Sequence, residues 1–159
     1  MHWFSRWALR AQRACLFVKV QYGSSSASSA AVWFGSAHLQ HDITAYENGA
    51  QLSELRDAIA TLDSDQVVCG IDANIVGWRL VHAAYSAGLV EHCGVEHPST
   101  FPAVRPLYRL DGLLTAANKS VHVEVSADDM ALSAIGSWDP ETEEHASDHM
   151  PVVGTLFLR

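Results

Sequence analysis

Asp148 and His149 stand together in the stretch EEHASDHMPVV, residues 143–153, just before an apolar run. An imidazole beside a carboxylate is what general-base chemistry needs: the ring takes a proton near neutral pH, and an acid orients it and stabilises the imidazolium that forms. A polar turn before a strand accounts for the same residues. Other polar residues recur where apolar runs end. His38 lies at the end of AVWFGSAHL (31–39), and Asp72 and Asn74 follow QVVCGI (66–71). An Asp in such a place binds a metal or moves a proton, and an Asn donates to a phosphate oxygen; both residues also favour turns and helix N-caps. His38 taken alone reads more readily as a satisfied core residue. Asp111, inside LYRLDGLLT (107–115), is costly to bury without a partner, and Arg109 or a histidine would supply one.

Nine histidines raise a zinc alternative, with His92, His97 and His145 as its ligands. The spacing of His145 and His149 suits one helical face, but Pro151 disfavours helix at Met150. Neither an HExxH motif nor a paired-cysteine zinc pattern is present.

The elements that position these residues are legible from periodicity. CLFVKVQY (15–22) reads as a strand, GSSSASS as a loop, and 31–39 as a strand buried on both faces, the two strands forming a hairpin. Leu52, Leu55, Ile59 and Leu62 make one apolar stripe of a helix over 48–62. QVVCGI is a short buried strand. A second helix covers 77–87, with Trp78, Val81 and Tyr85 on its apolar face and Gly88 as its stop. Strands follow at 107–115, 120–126 and 151–158, with 127–147 mostly loop. In 120–126 the valines point inward, and His122 and Glu124 outward. Strands with interspersed helices predict a layered α/β (α+β) domain, whose site lies at strand ends.

Composition bounds the function classes. The chain has 159 residues, 48% of them hydrophobic and 18% charged, which predicts one globular domain. No apolar stretch approaches the roughly 20 residues of a membrane span, so no stable membrane insertion is expected. The basic amino-terminal stretch, 1–14, reads as a leader of uncertain nature and not as a secretory signal. Three cysteines cannot all pair within one chain, which favours a reducing, cytoplasmic compartment. Residues 1–41 carry four basic residues and no acid. Residues 42–159 carry all 18 acids and six bases, a balance of −12 that sums with +4 to the net −8. Such an acidic body argues against a purely electrostatic nucleic-acid binder, but not against an enzyme that grips phosphate through a divalent metal.

Four blocks, in order, resemble the endonuclease/exonuclease/phosphatase family of metal-dependent, DNase I-like phosphoesterases. SAHLQH (36–41) is similar to the family strand ending in THL. VVCGIDANI (67–75) is similar to its GDFN block, with Ile71 where Gly usually stands. STFPAVRPLYRLDGLLT (99–115) is similar to its TFP…RIDYIL block, and ASDHMPVVGTLFL (146–158) to its terminal SDHxPV strand. The resemblance covers about residues 15–159 and implies a DNase I-like four-layer sandwich, incomplete at its amino-terminal side.

That resemblance implies roles. His149 corresponds to the general base and Asp111 to the acid that holds its ring. Asp148 corresponds to a metal-ligating carboxylate. Asp72 corresponds to the Asp that orients the nucleophile, moves a proton or helps hold the metal. Asn74 and His38 correspond to groups on the phosphoryl oxygens. The implied cofactor is Mg²⁺, with Mn²⁺ as a substitute. The implied partner is a phosphate ester, whether nucleic acid, phospholipid or inositol phosphate. One departure matters: the family places a metal-ligating Glu upstream of the THL strand, and no acid precedes Asp42 here. The alternative is therefore an inactive remnant or phosphate-binding pseudoenzyme. An incomplete sandwich would also leave apolar sheet face exposed.

Overall fold

The computed structural model describes residues 14–22, 30–40, 45–94, 99–101, 107–118, 122–125, 138–139, 144–145, 149 and 152–157. Asp148, His97 and residues 1–13 lie outside that set. Among the described residues, nine strands and two helices follow one another as β1 (Cys15–Tyr22), β2 (Ala30–His38), α1 (Ala45–Ala60), β3 (Val67–Asp72), α2 (Gly77–Ser86), β4 (Leu89–Glu91), β5 (Asp111–Ala116), β6 (His122–Val125), β7 (Trp138–Asp139), β8 (Glu144–His145) and β9 (Gly154–Phe157). Five strands form one sheet in the order β1-β2-β3-β5-β4, and β6-β9 and β7-β8 form two-stranded sheets. β1 and β2 pair as the expected antiparallel hairpin. β2 and β3 run parallel, so the chain must cross over between them, and α1 is that crossover.

α1 exists because its apolar residues recur at helical spacing. Leu52, Leu55 and Ile59 are buried, and Leu62 packs against the same core from the turn that ends the helix. α2 seats itself differently from the expectation. Gly77, Leu80 and Ala84 face the core, while Trp78 and Tyr85 are 59% and 80% exposed. The small residues let the helix lie close to its neighbours; the bulky aromatic stripe would hold it off. Gly88, at φ 77°, ends the helix in the left-handed region, as its residue type predicts.

Two further expectations change. β2 is covered fully on one face and in part on the other: Ala37 joins the core, while on the other face Val32 is 1% exposed and Phe34 44% exposed. That open face continues over β1 with Leu16, Val18 and Val20. The β6-β9 pair meets this side of the sheet around Leu113, where the Gly154 backbone packs against that leucine, while Leu16, Val18, Val20 and Phe34 stay exposed. The strand expected over 107–115 begins only at Asp111. Before it, Arg109 turns inward to an ion pair with Glu91, and Tyr108 makes an isolated bridge with Phe101. β4, three residues long, and the β7-β8 pair inside the expected 127–147 loop were too short to declare a period. β6 alternates as predicted, with Val123 buried and His122 and Glu124 exposed.

Candidate active site at the ends of β2, β3 and β5

Register brings the site together. His38 pairs with Asp72 across β2-β3, and Asp72 pairs with Asp111 across β3-β5. Residues opposite one another on a ladder share a face, so the three side chains stand in one row at the end of the sheet. One row back the positions are Ser36, Gly70 and Leu113, and two of these are small. The row lies on the face away from the helices.

Two carboxylates directly opposite on neighbouring strands repel each other. Asp72 and Asp111 are both largely buried, at 18% and 19% side-chain exposure, which makes the repulsion more costly. Histidines flank them. His149 Nδ1 lies 2.8 Å from Asp111 Oδ2, and its Nε2 lies 3.9 Å from Asp72 Oδ2. His38 Nε2 lies 3.4 Å from Asp72 Oδ2. The partner of Asp111 is therefore the histidine. Arg109 touches Asp111 only through the backbone carbonyl, at 3.3 Å.

Asp72, Ala73 and Asn74 form a tight turn in which the Asn74 N–H donates to Asp72 Oδ1 at 2.9 Å. The turn reading of this stretch thus holds alongside the chemical one, whereas the N-cap of α2 is Val76. Asn74 sits at φ 50°, which asparagine tolerates better than most residues. That backbone directs its amide nitrogen to the Leu39 carbonyl at 2.9 Å and to His38 Nε2 at 3.0 Å. The carbonyl fixes which end of the amide is nitrogen, so His38 Nε2 accepts and the ring carries its proton on Nδ1.

Sequence reasoning missed three supporting residues. Phe101 packs its ring on His149 at a centroid distance of 4.9 Å. Thr100 is fully buried and accepts the Leu110 N–H at 3.1 Å, and backbone bonds from Thr100 and Phe101 to the Tyr108 carbonyl close the small bridge that holds Phe101 in place. Glu91 clamps Arg109 from β4. Phe101 and Thr100 lie inside the quoted STFP block, which was the available signal; Glu91 had none.

Ligand atoms of Asp72, Asp111 and His149 lie within 4.8 Å of one another. Two carboxylates and one imidazole are a donor set that fits a hard divalent cation. If His149 were a ligand through Nε2, it could not serve as a base at that atom, so the two uses exclude each other. Among the described residues no other group of three His, Cys, Asp or Glu gathers in this way, and His92 bonds Thr115 instead, at 2.9 Å.

No family model matches the sequence, and no curated protein matches it. Solved structures do resemble the fold. Danio rerio TDP2 complexed with single strand DNA product superposes with a TM-score of 0.60 at 18% identity, over 92% of this chain and 62% of that one. A mannosyl-6-phosphatase from Bacteroides thetaiotaomicron gives 0.59 at 17% identity, over 92% and 57%. An endonuclease/exonuclease/phosphatase family protein from the same organism gives 0.56 at 16% identity, over 84% and 53%. This chain thus spans about three-fifths or less of the length of the chains it matches. At such identities the likeness is one of fold alone, and the fold of this chain is DNase I-like.

Proposed function

We propose that this site hydrolyses phosphate esters with the help of a divalent cation. The observation that carries the reading is the Asp72–Asp111 pair, set opposite each other and flanked by His149 and His38. A fold has no structural reason to place two carboxylates so, and phosphoester hydrolysis has several.

His149 is the general base. Donation from its Nδ1–H to Asp111 leaves Nε2 as the basic nitrogen, on the side of Asp72. A water hydrogen-bonded at about 2.8 Å to both His149 Nε2 and Asp72 Oδ2 fits the 3.9 Å gap between them. Asp72 orients that water, and His149 takes its proton as it attacks phosphorus. Asp111 stabilises the imidazolium, and the packed Phe101 ring keeps it from swinging. His38 donates to the phosphoryl oxygens through its Nδ1–H, and Asn74, whose two amide hydrogens go to Leu39 and His38, holds that ring in place beside them. Mg²⁺ or Mn²⁺, held by Asp72 and Asp148, would supply Lewis-acid charge for the same oxygens.

A second reading assigns the same residues to phosphate binding alone. In that reading the site binds phosphate and does not cut it. Release of p-nitrophenol from bis-p-nitrophenyl phosphate, with Mg²⁺ and with EDTA, separates the two. The first reading expects metal-dependent release that falls about 100- to 10,000-fold in His149→Ala. Release that survives the substitution removes His149 as the base. Phosphate binding without release, in the unchanged chain, selects the second reading.

A further inference from the structure

Cys15 on β1 and Cys69 on β3 flank β2, and their sulfurs lie 4.0 Å apart. Cys15 is opposite Ala37 and Cys69 is opposite Gly35, so both side chains stand on the helix-covered face and lean toward each other over Gly35. Glycine is needed there. A Cβ at position 35 would come within 2.9 Å of Cys69 Sγ and 2.5 Å of the Phe17 ring.

A disulfide does not fit this arrangement. With one strand intervening, the two backbones are about 9.5 Å apart, and a disulfide needs α-carbons within about 7 Å. Closing the sulfurs to bonding distance would tear β1 or β3 from the ladder. A metal bridge has the opposite requirement. Two metal–thiolate bonds of about 2.3 Å span about 4.6 Å when linear, so the two sulfurs, at 4.0 Å, need part by only about 0.6 Å to hold an ion between them. A zinc site needs four ligands, and among the described residues no third Cys, His, Asp or Glu joins this pair. A soft monovalent cation is content with two sulfurs.

We propose that Cys15 and Cys69 form a two-thiolate site for a soft monovalent d¹⁰ cation, Cu(I) in its biological form. Both thiol protons leave to solvent as the two metal–sulfur bonds form, and no electron is transferred. Cys15 is half-buried and gives the ion its entry, while Cys69 is buried. Binding ties edge strand β1 to central strand β3 across β2. It is independent of the phosphoesterase reading, because the site lies on the opposite face of the sheet from the Asp72–Asp111 row.

The test is anaerobic titration of the whole chain with Cu(I) supplied as its acetonitrile complex. Native mass spectrometry should show one copper per chain in the unchanged protein and in Cys93→Ser, and none held by Cys15→Ser. Thermal unfolding of the unchanged protein should rise by about 5–10 °C at a hundredfold excess over the dissociation constant. Copper should slow iodoacetamide labelling of Cys15 at least about tenfold and leave Cys93 labelling unaltered, a readout that needs no variant to fold. Copper retained by Cys15→Ser, or labelling of Cys15 unchanged by copper, overturns the proposal. So does a Cys15–Cys69 disulfide formed by diamide in the folded chain, because it would show that the sheet does not hold the sulfurs apart.

Discussion

Arg109→Met should be among the most damaging single substitutions in this chain. Arg109 and Glu91 form an ion pair whose side chains are 4% and 0% exposed. The Glu91 carboxylate accepts from Arg109 Nη1 at 3.0 Å, Arg109 Nη2 at 3.4 Å, and the backbone N–H groups of Cys93 at 3.0 Å and Gly94 at 2.9 Å. Methionine fills similar volume but removes the positive charge and half of those donors. It also takes a donor from the carbonyls of Gly77 and Asp111, which Arg109 bonds at 3.2 and 3.3 Å. Leaving one member of a buried pair uncompensated costs about 3–5 kcal/mol. For a chain of this size that is a fall in Tm of about 6–20 °C. Arg109 Nε, which has no hydrogen-bond partner among the described residues, adds nothing to the loss. The informative comparison is a double-mutant cycle in urea. The N–H groups of Cys93 and Gly94 bond different Glu91 oxygens; Glu91→Gln removes the charge and keeps an acceptor for one of them, so Arg109→Met/Glu91→Gln should recover about 1 kcal/mol relative to Arg109→Met alone. Additive losses, or an Arg109→Met loss below about 1 kcal/mol, would refute the assignment of a buried, mutually dependent pair.

Burial holds the His92 imidazole below its ordinary 6.5. Below that pH the unfolded chain binds a proton that the folded chain does not, so this part of the stability is complete above about pH 6.5 and is lost on acidification toward the lower folded value. Urea unfolding at about pH 7.5 and about pH 5.5 should show a smaller difference in His92→Asn than in the unchanged chain. Burial and the Glu91 charge push the Cys93 thiol up to about 12, while the hydrogen bond with Cys69 holds Cys15 below its ordinary value. Metal-free protein should therefore react with iodoacetamide at Cys15 well before Cys93, as read by peptide mass mapping. Leu16 is 68% exposed, so Leu16→Lys should change stability by less than about 0.5 kcal/mol; a large loss would mean that the open sheet face is covered in solution.

Much of this protein is written in its order of residues. The spacing of Leu52, Leu55 and Ile59 determines α1, the alternation around Val123 determines β6, and Gly88 determines where α2 stops, because each acts over one or two turns of chain. The polar residues at strand ends were visible for the same reason: His38, Asp72, Asn74, Asp111 and His149 interrupt apolar runs. What local pattern could not decide was who meets whom. Asp111 had two possible partners in the sequence; register across β3-β5 and the return of the chain to residue 149 gave it His149, and sent Arg109 to Glu91, eighteen residues upstream of it. The face α2 buries was settled by how closely small residues let it approach the sheet, against the pull of its aromatic residues. The partial covering of the Phe34 face of β2 depended on what packs over it, and the meeting of Cys15 with Cys69 on a glycine in the strand between them. Periodicity is a property of neighbours along the chain. A site, a buried pair and an open face are properties of neighbours across it, and those distances exist only once the sheet has formed.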